Sequence, residues 1–287
     1  MHHVRQVLRH QTAERGAVKK PPYPLSLGRG HVPESDLPHI TCLLLQRHPC
    51  MKDYLVVWPE LTPGTLIRRY KRFLADIELT SGELITAHCP NSGRMLECSQ
   101  PGCTVLVSRS SNPTRKHAFT WEIIEMPSSP VVVNTMRANQ AAGSGLRKGL
   151  IGELSGYDEV KNEVAIGNST RIDFFLTGED KPPCIVEVKS CTYVEHGIAM
   201  FPDAVSDRGR KHLIELQAAR LKGMRSVLLL LIQRMDAHIF RPADHIDPAW
   251  GSELRKAHAA GVEVIIYDTR ISDRGMELAG KVPLSLE

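Results

Sequence analysis

The feature that most constrains the fold is a change of hydrophobic pattern near residues 135–140. Before it, from about Leu61, short segments rich in β-branched and aromatic residues are separated by turn-forming residues. These segments are 65–79, 83–89, 104–110, 119–125 and 131–134. Five short strands with no helical pattern between them predict an all-β domain, an OB-like five-stranded barrel.

After this boundary, helical and strand patterns alternate. Helices are expected at 138–154, 209–222 and 248–260, and the second places Ile214, Ala218 and Leu221 on one stripe. Strands are expected at 163–166, 172–176, 185–190, 226–233 and 262–267. Such alternation predicts an α/β domain around a mixed sheet. We therefore expect an OB-like domain over 59–136 and the α/β domain over 137–287.

Residues 1–58 lack both periodicities and contain six prolines and six histidines. A segment of this composition cannot bury enough apolar area to offset its ordering entropy. We expect a disordered N-terminal extension, or translated sequence upstream of the true start, with Met51 as a candidate initiator.

Composition excludes several classes of protein. No apolar run approaches the roughly 18 residues of a membrane span, and no secretory signal precedes the first domain, so we expect a cytoplasmic protein without a membrane partner. The seven cysteines form no CxxC pair and predict no zinc site. The net charge of +4 is confined to residues 1–50, so total charge does not favour a polyanionic partner.

Three residues of two predicted strands have the types and spacing of a metal-dependent catalytic site. Asp173 interrupts an apolar run, and Glu187 and Lys189 project from the same face of the following strand. The turn-like segment 177–183 makes the two strands hairpin neighbours. A Mg²⁺ or Mn²⁺ ion between the carboxylates of Asp173 and Glu187 would offset their desolvation and activate water, with Lys189 stabilising the negative transition state or orienting that water. The alternative is a Glu187–Lys189 salt bridge on a solvated strand.

Two residues compete for a third carboxylate position. Glu153 ends the first predicted helix, and Glu163 begins the first predicted strand. We favour Glu153 because a helix-borne Glu commonly completes the metal site of PD-(D/E)xK nucleases, which this arrangement resembles. The resemblance is incomplete, since Arg171-Ile172 stand where that motif has a proline.

Two basic segments are candidates for nucleic-acid binding. Strand alternation over 68–73 sends Arg68, Tyr70 and Arg72 to one side and Arg69, Lys71 and Phe73 to the other, which offers cations for phosphates and a ring for a base. On the second helix, Arg208, Lys211, His212 and Glu215 share one face, opposite the Ile214 stripe. The alternatives are a solubilising edge strand and an ordinary charged surface.

Six motifs in order make the chain from about Leu61 to its end resemble the sugar fermentation stimulation protein family (SfsA). They are 66–76, 88–93, 153–157, 171–174, 187–190 and 201–205. The resemblance implies a bacterial protein with an OB-like domain and a PD-(D/E)xK restriction-endonuclease-like domain. It also implies DNA binding without strong sequence preference and a regulatory link to sugar (maltose) metabolism. Two hypotheses follow: a Mg²⁺-dependent nuclease, and a non-catalytic DNA-binding transcriptional regulator.

Overall fold

The computed structural model describes residues 54–166 and 170–287. The predictions for residues 1–53 lie outside this range. Within it, no helix is long and apolar enough to cross a membrane.

The first domain is a closed barrel, as predicted. Its strands are β2 (Leu61–Tyr70), β3 (Leu74–Leu79), β4 (Leu84–His88), β5 (Thr104–Arg109), β6 (Phe119–Glu125) and β7 (Pro130–Val132). The first five pair in the order β4-β3-β2-β5-β6, and a parallel β4–β6 pairing closes the ring. Leu66, Ile77 and Trp121 fill its interior. The strand β7 extends the sheet from β6, outside the ring.

One predicted strand, 65–79, is a hairpin instead. The strand β2 ends at Tyr70, and Lys71 and Arg72 adopt positive φ angles of 48° and 65°. The predicted alternation of side chains therefore stops at Tyr70, and it was wrong to place Arg72 on the same strand face as Arg68. The segment carries no Gly or Pro to mark this turn, which explains why the sequence pattern did not reveal it.

The second domain is α/β, also as predicted. Its helices are α1 (Met136–Arg147), α2 (Asp207–Leu221) and α3 (Pro248–Ala259), with a 3-10 turn at Gly152–Leu154. The strands are β1 (Val56–Val57), β8 (Glu159–Ile166), β9 (Thr170–Gly178), β10 (Lys181–Cys191), β11 (Tyr193–Glu195), β12 (Ile198–Phe201), β13 (Arg225–Ile232), β14 (Ile239–Pro242), β15 (Glu263–Ile271) and β16 (Gly275–Lys281). The main sheet has the order β1-β16-β15-β13-β10-β9-β8, with β10, β13 and β15 parallel.

Helices cover both faces of this sheet. Residues of α1 pack in one apolar cluster, and residues of α2 and α3 pack in the other. The stripe predicted for α2 is on the wrong side, because Ile214 and Leu221 are 50% and 90% exposed. The buried residues include Leu213 and Leu216. Apolar residues occur on both sides of this helix, so periodicity alone could not select the inner face.

The strand β1 corrects the predicted extent of the N-terminal extension. Val56 pairs with Met276 of β16, and the Trp58 indole N–H donates to the Ser272 carbonyl over 2.9 Å. The side chains of Tyr54, Leu55, Val56 and Trp58 are buried. Residues 54–58 thus belong to the second domain. A two-residue strand that pairs with the far end of the chain has no local periodicity to reveal it.

A buried ion pair fastens the start of α1 to the barrel. Glu122 of β6 is 1% exposed and accepts hydrogen bonds from Arg137 Nε (2.9 Å) and Nη2 (2.8 Å). Ser108 and Asn134 also donate to it. Burial acts to raise the pKa of Glu122, but these donors together outweigh it and the pKa is lowered.

We predict that Glu122→Ala lowers the free energy of unfolding by about 3–5 kcal/mol, because Arg137 keeps a largely buried charge without its partner. Urea denaturation monitored by circular dichroism measures this. Glu125→Ala removes an exposed carboxylate from the same strand and should cost less than about 0.5 kcal/mol. Equal effects of the two substitutions would contradict the prediction.

Candidate active-site cleft

Asp173 and Glu187 lie where β9 and β10 separate. The last paired residues of the two strands are Phe174 and Val186, and the carboxylates come from the next residue on each strand. The Val188 N–H donates to Asp173 Oδ2 over 2.8 Å, and Asn139 of α1 donates to Oδ1 over 2.9 Å. The predicted hairpin is therefore present, and both carboxylates line one cleft.

Glu187 forms a compact triad with Lys189 and His212. Lys189 Nζ lies 2.5 Å from Glu187 Oε1 and 3.1 Å from His212 Nδ1, and His212 Nδ1 also contacts Oε1. The side chains of Glu187 and Lys189 are only 5% and 13% exposed. The salt bridge considered as an alternative exists, but it is buried rather than solvated.

The two carboxylates are electrostatically unequal. Burial, followed by the nearby charge of Glu187, raises the pKa of Asp173 despite its hydrogen bonds. Burial is also the largest single influence on Glu187 and acts to raise its pKa, but His212 and Lys189 together outweigh it and the pKa is lowered. Glu187 is thus compensated by cationic and polar neighbours, whereas the ionised form of Asp173 is under-compensated.

The cleft has a volume of about 370 Å³ and walls from both domains. The barrel contributes Asn91, Ser92 and Gly93 from the loop after β4. The α/β domain contributes the loop 201–206 and the first turns of α2, including Arg208 and His212. Neither domain alone encloses the carboxylates.

Asp203 holds the barrel loop in the cleft wall. Its Oδ2 accepts the Met95 N–H over 2.8 Å, and a Cβ built on Gly93 would lie 2.3 and 2.4 Å from the two carboxylate oxygens. Only glycine fits at position 93 against this carboxylate. Gly93 and Asp203 both lie in motifs of the sequence, 88–93 and 201–205. No local pattern predicts the contact between these segments, because it joins residues more than one hundred positions apart.

The predicted basic residues divide into three groups. Arg208 lines the cleft and its Nε donates to His212 Nε2 over 3.3 Å, whereas Lys211 forms an ion pair with Glu215 at 3.7 Å. Arg69 and Arg72 line an adjoining pocket with Arg94. The remaining predicted residues of the segment 68–73 lie on β2 or in the turn after it. Arg68 pairs with Asp76 at 2.9 Å, and the Tyr70 hydroxyl donates to the same carboxylate over 3.0 Å. Lys71 is an exposed turn residue.

Glu153, predicted as the third carboxylate, does not reach this cleft. It accepts a hydrogen bond from the Tyr267 hydroxyl over 2.9 Å and pairs with Lys281. The helix expected to run to residue 154 ends at Arg147, and Gly149, at φ 66°, turns the chain away. The competing Glu163 pairs with Arg171 at 3.1 Å and lines the groove on the other side of Asp173. Among residues 54–166 and 170–287, no group of three His, Cys, Asp or Glu side chains is arranged to hold a metal.

We predict that Gly93→Ala lowers the free energy of unfolding by about 1–3 kcal/mol, because its Cβ overlaps the Asp203 carboxylate. Asp203→Ala removes that overlap, so the double variant should be more stable than the sum of the single effects by about 0.5–3 kcal/mol. Gly152→Ala is the matched control, since nothing lies within 4 Å of its Cβ position. Strictly additive effects in thermal denaturation would refute the contact.

Two family descriptions match the chain. Residues 67–133 match the SfsA N-terminal OB domain, and residues 136–275 match the sugar fermentation stimulation protein RE domain. Together they cover most of the described residues and divide the chain between β7 and α1.

Curated relatives and a solved structure agree with this match. The sugar fermentation stimulation protein homolog of Acidithiobacillus ferrooxidans is 48% identical over 227 residues, which cover 79% of this chain and 98% of the relative. That of a Shewanella species is 47% identical over 228 residues, 79% and 97% of the two chains. The structure of Pyrococcus furiosus SfsA in complex with Ca²⁺ is similar with a TM-score of 0.75 at 25% identity, covering 81% of this chain and 99% of that one. This chain belongs to the sugar fermentation stimulation protein family.

Proposed function

We propose that the protein is a Mg²⁺- or Mn²⁺-dependent phosphodiesterase that acts on nucleic acid, binds DNA without strong sequence preference and works in the cytoplasm. The observation that carries this proposal is the pair of carboxylates of Asp173 and Glu187 at the point where β9 and β10 separate, which we call the β9–β10 fork. The buried ammonium of Lys189 lies beside Glu187. This is the acidic and basic set of a PD-(D/E)xK nuclease, and we interpret the second domain as nuclease-like.

The donor set at the fork fits a hard divalent cation. Asp173 and Glu187 offer carboxylate oxygens, which Mg²⁺ and Ca²⁺ prefer. The raised pKa of Asp173 reflects burial and the charge of Glu187, which a cation between the two groups would offset. The similar Pyrococcus furiosus protein is described in complex with Ca²⁺, a cation of the same class. When bound, such a cation polarises a phosphoryl oxygen and lowers the pKa of a coordinated water.

The chain's own residues supply orientation and charge. Asn139 and the Val188 N–H donate hydrogen bonds to the Asp173 carboxylate and hold it in place before a substrate binds. The Lys189 ammonium is held by Glu187 and His212, where it can stabilise negative charge developing on a phosphate. Arg208 borders the same cleft and offers a guanidinium to a second phosphate oxygen.

The barrel supplies further cations for a polyanion. Arg69, Arg72 and Arg94 surround a pocket of about 410 Å³ that shares Ser92, Gly93, Ala204 and Val205 with the cleft. Arg69 donates to the carbonyls of Asn91, Gly93 and Arg94, which ties it to the loop. Arg72 is exposed at the hairpin turn, where a phosphate can approach it.

A non-catalytic DNA-binding regulator of sugar (maltose) metabolism is the second candidate. One observation favours it: Glu153 is engaged with Tyr267 and Lys281, so the fork holds two carboxylates rather than three. Under this alternative, the cations around the cleft and the barrel pocket bind DNA, and any bound metal only stabilises the fork.

We predict that Mn²⁺ or Ca²⁺ raises the melting temperature, because a cation held by Asp173 and Glu187 binds only the folded chain. A hundredfold excess over Kd contributes about 2.7 kcal/mol, roughly 5–10 °C for a chain of this size. Asp173→Asn should abolish this shift, because it removes one of the two negatively charged ligands of the cation. Differential scanning calorimetry with and without EDTA measures both effects.

The control for this experiment is Glu159→Gln, which removes a carboxylate that is 54% exposed on β8. It should retain the full cation-dependent shift. A shift that persists in Asp173→Asn, or is absent from the wild type, would refute a cation site at the fork.

We predict that the wild type cleaves labelled DNA in Mg²⁺ or Mn²⁺ and that Lys189→Ala lowers the cleavage rate by about 10²–10³-fold, as expected for loss of one electrostatic stabiliser. Asp173→Asn, purified in the same way, should show no cation-dependent cleavage above background and controls for contaminating nucleases. Tight DNA binding by a wild type that cuts neither DNA nor RNA would favour the regulator instead.

A further inference from the structure

A second groove meets the cleft at Asp173. We call it the barrel groove. It has a volume of about 710 Å³, and its walls include His88, Arg109 and Arg115 of the barrel, Met136 and Gln140 of α1, and Asn162 of β8. Asn139 and Asp173 line both the barrel groove and the cleft, so the carboxylate proposed to hold the cation stands at their junction.

Two arginines of the barrel groove, Arg109 and Arg115, form no ion pair among residues 54–166 and 170–287. Arg109 lies with its guanidinium 5.8 Å from the centre of the Phe119 ring, and Arg115 Nη1 donates to the Thr120 hydroxyl over 2.8 Å. By contrast, the Arg137 charge is matched by Glu122, and Glu163 is paired with Arg171.

The opposite end of the cleft has a similar arrangement. The pocket of Arg69, Arg72 and Arg94 shares Ser92, Gly93, Ala204 and Val205 with the cleft. Three adjoining compartments therefore run from one group of arginines, past the two carboxylates, to a second group. A chain of phosphates with its scissile bond at Asp173 would meet cations on both sides.

The walls of the compartments favour a single strand. The compartments, of about 370 to 710 Å³, are lined by residues of both the barrel and the α/β domain, so a strand bound in them would lie between the two domains. Met136, at 69% exposure, offers the barrel groove an apolar side chain on which a base can pack. Barrels of the OB type bind single strands by combining a groove of cations with side chains, usually aromatic, on which bases stack.

We infer that the barrel groove binds the segment of a single-stranded nucleic acid that extends beyond the scissile phosphate, with Arg109 and Arg115 contacting its phosphates. This inference rests on the proposed function, because it takes the fork as the site of cleavage. It adds a substrate form, single-stranded, and two contact residues that lie outside the cleft.

The test compares oligomers of two lengths. Fluorescence anisotropy in Ca²⁺ measures the affinity of the full chain for labelled thymidine oligomers of about 16 and about 4 nucleotides, the limits of OB-fold site sizes. Arg109→Ala with Arg115→Ala should weaken binding of the long oligomer by about tenfold or more and of the short one by less than about twofold. For the long oligomer, the slope of the logarithm of the binding constant against the logarithm of the salt concentration should become shallower by about 1.4, which is the contribution of two phosphates.

The control removes the same charge elsewhere. Lys222→Ala with Lys256→Ala alters two exposed lysines, one of them at the far end of α2 from the cleft, roughly 22 Å along the helix axis. It should leave the affinity for both oligomers unchanged. Circular dichroism of each double variant establishes that it is folded.

Several outcomes would overturn the inference. Unchanged binding of the long oligomer by the arginine variant, or an equal loss for both lengths, removes the barrel groove from the binding path. Tighter binding of a duplex than of the single strand, with the same dependence on the arginines, refutes the single-stranded form. A wild type that binds neither oligomer contradicts this inference, and it contradicts the proposed function as well only if a duplex is not bound either. Length-dependent binding in Ca²⁺, with no cleavage of the same oligomers in Mg²⁺ or Mn²⁺, supports the groove and contradicts only the catalysis.

Discussion

The elements around the β9–β10 fork are constrained by the charges that are buried there. Glu187 lies in the sheet at 4% exposure, and it is compensated by Lys189 and His212. Asp173 accepts hydrogen bonds from Asn139 and one backbone N–H and lies near the charge of Lys189, but burial and the charge of Glu187 outweigh these and its pKa is raised. Removing one partner of a buried charge pair is costly, so the fork requires α1 and α2 to stay in position.

The barrel helps to hold α1 in position and also forms one wall of the cleft. Glu122 anchors the start of α1, which carries Asn139 to Asp173. Asp203 fixes the loop containing Gly93, which closes the cleft on its other side. Arg234 of the α/β domain also reaches Ser128 before β7. The two domains are therefore coupled by polar contacts. Two of these, made by Glu122 and Asp203, support elements that line the cleft, and loosening either of the two should disturb the geometry of the fork.

The sequence predicted those parts of the molecule that depend on local patterns. The strand alternation of the barrel, the α/β order of the second domain and the approach of Asp173 to Glu187 all follow from short-range periodicity and one hairpin. Glu153 was misplaced because a single left-handed glycine, Gly149, ends α1 early. The β2–β3 turn, the strand β1 and the contact of Asp203 with Met95 depend on backbone conformation or on distant residues, which periodicity does not encode. His212 was singled out as a phosphate-binding residue, whereas its contacts with Glu187 and Lys189 required the register of α2 against β10.

The proposed chemistry depends on Asp173 and Glu187 binding a divalent cation together at the fork. The most direct measurement is anomalous diffraction at the manganese absorption edge from a crystal of the protein soaked in Mn²⁺. We expect an anomalous peak between the carboxylates of Asp173 and Glu187, within coordination distance of an oxygen of each, and its loss in Asp173→Asn. A fork without an anomalous peak, or manganese bound only elsewhere on the chain, would contradict it.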